Sequence, residues 1–156
     1  MELTLRRRTG EDINEFITWT YEGIYSFYDN NSQQEKIEGL RESVHLERAF
    51  SVVDEDGNLI GNCEFYDVEE DGKELLVLGV QMKPSLTGNG YGSSFVKAII
   101  DQGRDRLKFT HLELAVADFN KRAIRTYEKE GFRERGEFSN EIRGQEYRFV
   151  IMARDF

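Results

Sequence analysis

The most constraining feature of this chain is the passage from a buried-looking strand into a glycine-rich loop. Leu75-Leu76-Val77-Leu78-Gly79-Val80 is nearly continuous in apolar residues, the pattern of a central strand covered on both faces. Pro84-Ser85-Leu86-Thr87-Gly88-Asn89-Gly90-Tyr91-Gly92 follows, and then Phe95, Ala98, Ile99 and Gln102 recur at helical spacing, predicting a helix that ends near Arg106. Glycine admits positive φ and removes side chains that would block a ligand. The N–H groups unpaired in a first helical turn converge on one point and, with the aligned peptide dipoles, attract a phosphate. Two common nucleotide loops do not fit. Gly92 is followed by Ser93-Ser94, with no lysine until Lys97, where an NTPase loop needs Gly-Lys-[Ser/Thr]. The dinucleotide fingerprint needs its third glycine one residue later and near the start of its fold. Glycines so spaced also serve a tight strand-to-helix turn with no ligand, so the loop alone leaves both readings open.

The flanking chain frames the loop. Leu3–Arg8 reads as a strand. Thr9 can cap a helix, with Asp12 three residues on and Ile13, Phe16 and Ile17 at helical spacing. Ser32 with Glu35 repeats that signature ahead of Ile37, Leu40 and Val44. Phe50–Val53 and Leu59–Val68 are strands joined by the Asp56-Gly57-Asn58 turn, and Asp71-Gly72 turns into Glu74–Met82. Leu112–Val116 is a second central strand. A helix with Ala123, Ile124 and Tyr127 on one side is closed by Gly131. Phe132–Phe138 and Tyr147–Ala153 are joined by a turn around Arg143-Gly144. The order β-α-α-β-β-β-α-β-α-β-β predicts an α/β (α+β) fold with a mixed sheet, in which Glu74 to Val116 is a parallel crossover.

Composition narrows the class. The 156 residues suit one domain spanning 1–156. Lys+Arg 21 against Asp+Glu 30 gives 21 − 30 = −9, a poor balance for neutralising phosphates, so no nucleic-acid partner is expected. The run Arg6, Arg7, Arg8 is too short to alter that. No apolar stretch approaches the roughly 18–20 residues of a membrane span, and Met1–Gly10 lacks an apolar secretory core. The single Cys63 allows no intrachain disulfide or cysteine-built metal site and reads as a small buried hydrophobe. A cytoplasmic domain without metal is expected, with His45 and His111 as ordinary surface or edge residues.

Two segments together resemble the GNAT acetyltransferase superfamily. Thr87-Gly88-Asn89-Gly90-Tyr91-Gly92 is similar to the family's Arg/Gln-x-x-Gly-x-Gly/Ala loop at Gly90 and Gly92, and departs from it at Thr87. Asn120-Lys121-Arg122-Ala123-Ile124-Arg125-Thr126-Tyr127-Glu128-Lys129-Glu130-Gly131-Phe132 matches Asn-x-x-Ala-x-x-x-Tyr-x-x-x-Gly-Phe at every fixed position. The resemblance implies a central, mostly antiparallel sheet of about seven strands with four helices and a βαβ cofactor core. It also implies that acetyl-CoA lies between the strand ending at Met82 and the strand ending near Ala117. The pyrophosphate would then rest on Thr87, Gly88, Asn89, Gly90, Tyr91, Gly92 and Ser93. A backbone N–H around Met82 would receive the thioester carbonyl, with Asn120 touching the cofactor arm besides capping its helix. Tyr127 would be the acid that protonates the departing thiolate, since a phenol with pKa near roughly 10 is protonated at neutral pH.

The resemblance further implies transfer of the acetyl group to a primary amine, on a small molecule or a protein N-terminus, by direct attack in a ternary complex. The closest appearance is to the ribosomal-protein N-terminal acetyltransferase-like branch, and the family habit is a homodimer. The alternative is a catalytically weak acyl-CoA-binding sensor or interaction module. Presenting a lysine amine at pH 7 costs on the order of 4.6 kcal/mol, against about 1 for an α-amine, so the demand for a base depends on the acceptor. Glu64, Tyr66 and Asp67 are candidates from the acceptor-side strand. The glutamate common in the family corresponds to Gln81, which cannot act as a base. Trp19–Asp29 carries five aromatics with Glu22 and Asp29, a composition that suits a cation and equally suits packing.

Overall fold

The computed structural model describes residues Met1–Phe156. Its strands are β1 (Thr4–Arg7), β2 (Ala49–Val53), β3 (Leu59–Glu70), β4 (Lys73–Met82), β5 (His111–Ala117), β6 (Arg133–Ile142) and β7 (Gln145–Asp155). The α-helices are α1 (Gly10–Ile17), α2 (Gln34–Glu42), α3 (Gly92–Leu107) and α4 (Lys121–Lys129), with 3-10 turns at Gly23–Tyr28, Ser43–His45 and Pro84–Leu86. The sheet order is β1-β2-β3-β4-β5-β7-β6. β4 and β5 are parallel, whereas β1–β2, β2–β3, β5–β7 and β6–β7 are antiparallel. Parallel neighbours need a crossover, and α3 supplies it. Contacts group the chain into two units, Met1–Glu64 with Val80–Asn89, and Phe65–Gly79 with Gly90–Phe156.

In the first unit, α1 starts as expected. The Thr9 side chain accepts from Asp12 N–H, and Asp12 returns the bond to Thr9 N–H, a complete capping box. Ile13 and Phe16 then bury against Trp19, with Leu40, Val44 and Leu59 packed around them. Two of the three arginines in the run, Arg6 and Arg8, are structural. Arg6 forks onto Asp12 at 2.5 and 3.0 Å. Burial pushes the Asp12 carboxyl up, but Arg6, Ser51 Oγ and Thr9 N–H outweigh it and hold it at about 2. Arg8 is buried, donating to Phe50 O, Ser43 Oγ and Cys63 O beside the Phe16 ring. Cys63 is fully buried. One start signal is displaced: Gln33, not Ser32, is the N-cap of α2 and makes no side-chain cap bond. The first helical N–H groups, of Lys36 and Ile37, reach the Gln33 carbonyl, while Ser32 N–H turns back to Asp29 O.

In the second unit, β5 is laddered to β7 from His111↔Asp155 to Ala117↔Phe149. The buried face of α3 is Phe95, Val96, Ile99, Ile100 and Gly103, so Phe95 and Ile99 lie on it as expected while Ala98 and Gln102 are only half-buried at its margin. The helix is seated through Gly103, where a Cβ would overlap the ring of Phe65. β4 is not covered on both faces: only Leu78 within it is buried. Its register with β5 is Val77↔Glu113 alone, and its residues from Leu75 to Met82 other than Leu78 are half-buried. β6 runs beyond Phe138 to Ile142, because backbone pairing to β7 continues up to the Arg143-Gly144 turn, where both residues have positive φ.

His111 is not an ordinary edge residue. Its Nε2 lies 2.6 Å from Glu113 Oε2 and its Nδ1 2.6 Å from Asp155 Oδ1. Both contacts are satisfied only when both ring nitrogens carry protons, so Asp155 and then Glu113 raise the histidine pKa. Glu113, buried on β5, also accepts a forked pair from Arg135 at 2.8 and 2.6 Å. Arg135 sits at the β6 bulge between Glu134 and Gly136, the kind of irregularity that re-aims a side chain.

Candidate active site

The loop leaving β4 is built largely by its own side chains. Thr87 Oγ1 donates to Pro84 O at 2.8 Å, and Asn89 Nδ2 donates to Ser85 O and Thr87 O at 3.2 Å each. Leu86 and Thr87 N–H groups return to Lys83 O and Pro84 O. These bonds occupy loop carbonyls and leave the amides of Gly88, Asn89 and Gly90 out of the internal set. Gly88 and Gly90 have φ of 74° and 83°, and left-handed residues alternating with ordinary ones build the concave backbone that accepts anion oxygens. Thr87, where the resembling family has Arg or Gln, therefore acts inside the loop.

The strand end feeding the loop is held firmly. Tyr21 Oη donates to Met82 O at 2.6 Å, and Lys83 N–H donates to Ile60 O at 2.8 Å. Gln81 is fully engaged: its Oε1 accepts from Asn30 Nδ2 (2.7 Å) and Asn62 Nδ2 (3.2 Å). Its Nε2 donates to Tyr28 O (3.2 Å) and Asn30 Oδ1 (3.1 Å). Such an amide offers no proton acceptor for catalysis, as its type already required. Of the aromatic segment, Trp19 belongs to the core, and the Asp29 carboxylate accepts Tyr21 N–H at 2.7 Å. Tyr21 lies in the aromatic segment already singled out, but neither its contact with Met82 nor that of Asn30 with Gln81 was legible, because nothing in their local sequence announces it.

On the other side of Asn89, Gly90 is exposed, and a Cβ placed on it would meet nothing within 4 Å. Gly92 plays a different part: its Cβ would lie 3.2 Å from Thr126 Oγ1, so it permits the close approach of α3 to α4. Both readings of the cluster hold, at different glycines. The 16-residue α3 begins at Tyr91 with no side-chain cap, so its first amides and dipole are available to an anion. Ser93 Oγ donates to Glu130 Oε1 at 2.9 Å, which leaves Ser93 its main-chain N–H for a ligand. Asn120 is the expected N-cap, accepting Ala123 N–H at 3.2 Å. Tyr127 is buried, its ring edge-on to Phe132 at 6.1 Å, while Gly131 ends the helix at φ 89°. Among base candidates, Glu64 is half-buried, and Tyr66 and Asp67 are exposed.

The family model of the acetyltransferase (GNAT) family matches residues 11–132, which include both the loop and the Asn120–Phe132 segment. The chain belongs to this family. It is an acetyl-CoA-dependent N-acetyltransferase by that membership. The fold agrees with solved structures. A chimera of the spermidine N-acetyltransferase SpeG from Vibrio cholerae and hSSAT aligns at TM-score 0.79 and 24% identity, over 99% of this chain and 96% of that one. The spermidine N-acetyltransferase from Vibrio cholerae in complex with CoA and spermine aligns at TM-score 0.70 and 23% identity, over 98% and 95%. A GNAT-family acetyltransferase from Bacillus anthracis aligns at TM-score 0.75 and 18% identity, over 98% and 94%. No curated protein matches in sequence. In this acetyltransferase no group of His, Cys, Asp or Glu is arranged to hold a metal, and no helix is long and apolar enough to cross a membrane.

Proposed function

We propose that residues 1–156 act as one N-acetyltransferase domain that moves the acetyl group of acetyl-CoA to a primary amine by direct attack in a ternary complex. The observation that carries this reading is the loop with left-handed Gly88 and Gly90 running from β4 into the uncapped start of α3. Its main-chain amides from Gly88 to Ser93 take the pyrophosphate oxygens, Thr87, whose own N–H is held by Pro84 O, braces the turn, and Asn120 contacts the cofactor arm. The Met82 N–H receives the thioester carbonyl, a fixed donor aimed at charge that grows in the transition state. The amine nitrogen bonds to the carbonyl carbon and the C–S bond breaks. The sulfur takes its proton from Tyr127 Oη, the proton shed by the amine leaves through water, and the Tyr127 phenolate regains a proton from water before the next turnover. A net charge of −9 biases encounter toward cationic acceptors. Structural neighbours that are spermidine N-acetyltransferases make a small polyamine the first acceptor to try, ahead of a protein N-terminus. The setting is cytoplasmic and the assembly a homodimer, which sedimentation at micromolar concentration tests.

Calorimetry with acetyl-CoA, ATP and NAD, followed by a thiol-release screen over spermidine, spermine and an α-amino peptide, tests the reading. Micromolar binding of acetyl-CoA alone with turnover on an amine supports it. Binding without turnover across a broad amine screen favours the sensor module, for which Thr87 and the neutral Gln81 are the specific observations. No binding by the folded protein refutes both.

A further inference from the structure

The Met82–Lys83 peptide is clamped at both ends: its carbonyl accepts the Tyr21 hydroxyl at 2.6 Å, and its N–H donates to Ile60 O at 2.8 Å. A peptide group is planar, so fixing its two polar ends fixes its plane. Met82 is the last residue of β4, and the N–H and C=O of one strand residue point to the same side, so holding the carbonyl sets the side to which the Met82 N–H is presented. The side chain of the residue before is anchored too, since the Gln81 Oε1 and Nε2 are held by Asn30, Asn62 and Tyr28 O. Tyr21 is itself anchored, its N–H donating to Asp29 Oδ1 at 2.7 Å and its ring packed against the Ile13–Phe16–Trp19 cluster.

We propose that Tyr21 is a positioning residue for acetyl transfer: its hydroxyl locks the Met82–Lys83 peptide and thereby aims the Met82 N–H at the thioester carbonyl. The inference rests on the assignment of Met82 in the proposed function. A donor held in this way needs no reorganisation during the reaction, which is the source of its catalytic value. The lock also persists at high pH. Burial raises the Tyr21 ionisation well above that of an ordinary phenol, Asp29 adds to this, and Gln81 only partly opposes it. The hydroxyl therefore remains a donor wherever the protein is folded and active. Tyr21 lies in the aromatic segment Trp19–Asp29, whose composition suits a cation, so a shift of that segment would be felt at the Met82 carbonyl.

The test compares wild type with Tyr21→Phe, which removes one oxygen and keeps the ring. The full chain is titrated with acetyl-CoA labelled with carbon-13 at the thioester carbonyl. Affinity is read by calorimetry and carbonyl polarisation by isotope-edited infrared spectroscopy. The expected result is a dissociation constant within about threefold of wild type, because most of the affinity lies in the phosphate loop, together with loss of the low-frequency carbonyl band seen in wild type. On an amine that wild type acetylates, kcat falls by about 10-fold, less than the 10²–10³ for deleting such a donor outright, with KM for acetyl-CoA nearly unchanged. An unchanged carbonyl band in a Tyr21→Phe protein that binds acetyl-CoA overturns the inference and leaves the proposed function standing. Wild type that binds acetyl-CoA with an unshifted carbonyl refutes the role given to Met82 instead. Should the variant not fold, trifluorotyrosine at position 21 keeps both ring and hydroxyl. The band must then be present at low pH and lost as that more acidic phenol ionises, and a band unchanged across the titration overturns the inference equally.

Discussion

Replacing Gly90 by alanine isolates the backbone from every other property of the phosphate loop. Gly90 has φ of 83°, and an added methyl meets no heavy atom within 4 Å, so the substitution creates strain without a clash. An L-residue in the left-handed region costs about 1–2 kcal/mol. The loop is exposed, so the free variant can relax out of that conformation and must pay the cost again when it closes on a pyrophosphate. This corresponds to about 5–30-fold weaker acetyl-CoA binding, with little change in thermal midpoint. Gly57, in the turn between β2 and β3, offers a matched control: its φ is also 83° and its added Cβ also meets nothing. Calorimetric titration of wild type, Gly90→Ala and Gly57→Ala with acetyl-CoA decides the matter. Equal affinity of Gly90→Ala and wild type, or equal weakening by Gly57→Ala, would refute the assignment of this loop as the pyrophosphate cradle.

Tyr127→Phe should lower kcat by about 10²-fold on any amine that wild type acetylates, at nearly unchanged acetyl-CoA affinity. The retained ring against Phe132 should keep the thermal midpoint, and an unaltered kcat removes Tyr127 from the mechanism. Asp12, held at about 2 from an ordinary 3.8, contributes about 2 kcal/mol that is present above the unfolded value and lost as pH falls through the folded one. Urea unfolding should therefore show Asp12→Asn less stable near neutrality, with the gap closing toward about pH 2; a gap independent of pH contradicts the pairing. For His111, whose pKa is raised by Asp155 and Glu113, the sign reverses. Its contribution is full below the unfolded value of about 6.5 and is lost as pH rises through the folded one. The thermal-midpoint advantage of wild type over His111→Gln should shrink as pH rises above about 6.5, and a constant advantage would refute it.

Much of this molecule was legible because its signals are local. Capping by Thr9 and Asn120, helix termination at Gly131 and the turns at Asp56-Gly57, Asp71-Gly72 and Arg143-Gly144 each need only neighbouring residues to set a dihedral or satisfy an N–H. The chain order of strands and helices followed from them, and the two segments of the acetyltransferase pattern stood in linear sequence. What escaped depended on partners distant in the chain. Arg8 looks like a surface cation until it is seen donating to Phe50 O and Cys63 O. His111 looks peripheral until the β5–β7 register sets Asp155 opposite it and the β6 bulge brings Arg135 to Glu113.

The apolar run of β4 promised a strand buried on both faces, yet hydropathy cannot say that its parallel neighbour registers at Val77 alone. Spacing likewise could not distinguish Gly90, needed for a left-handed turn, from Gly92, needed so that α3 can approach Thr126. Nor could it reveal that Tyr21 reaches Met82 across 61 residues of chain. The elements and their order could be read from the chain alone, since dihedral preference, capping and periodicity act over a few residues, and the chemical class came from the two segments that match the acetyltransferase pattern. The tertiary structure alone decided which buried polar groups meet, because a hydrogen bond is made by residues close in space, whatever their separation along the chain.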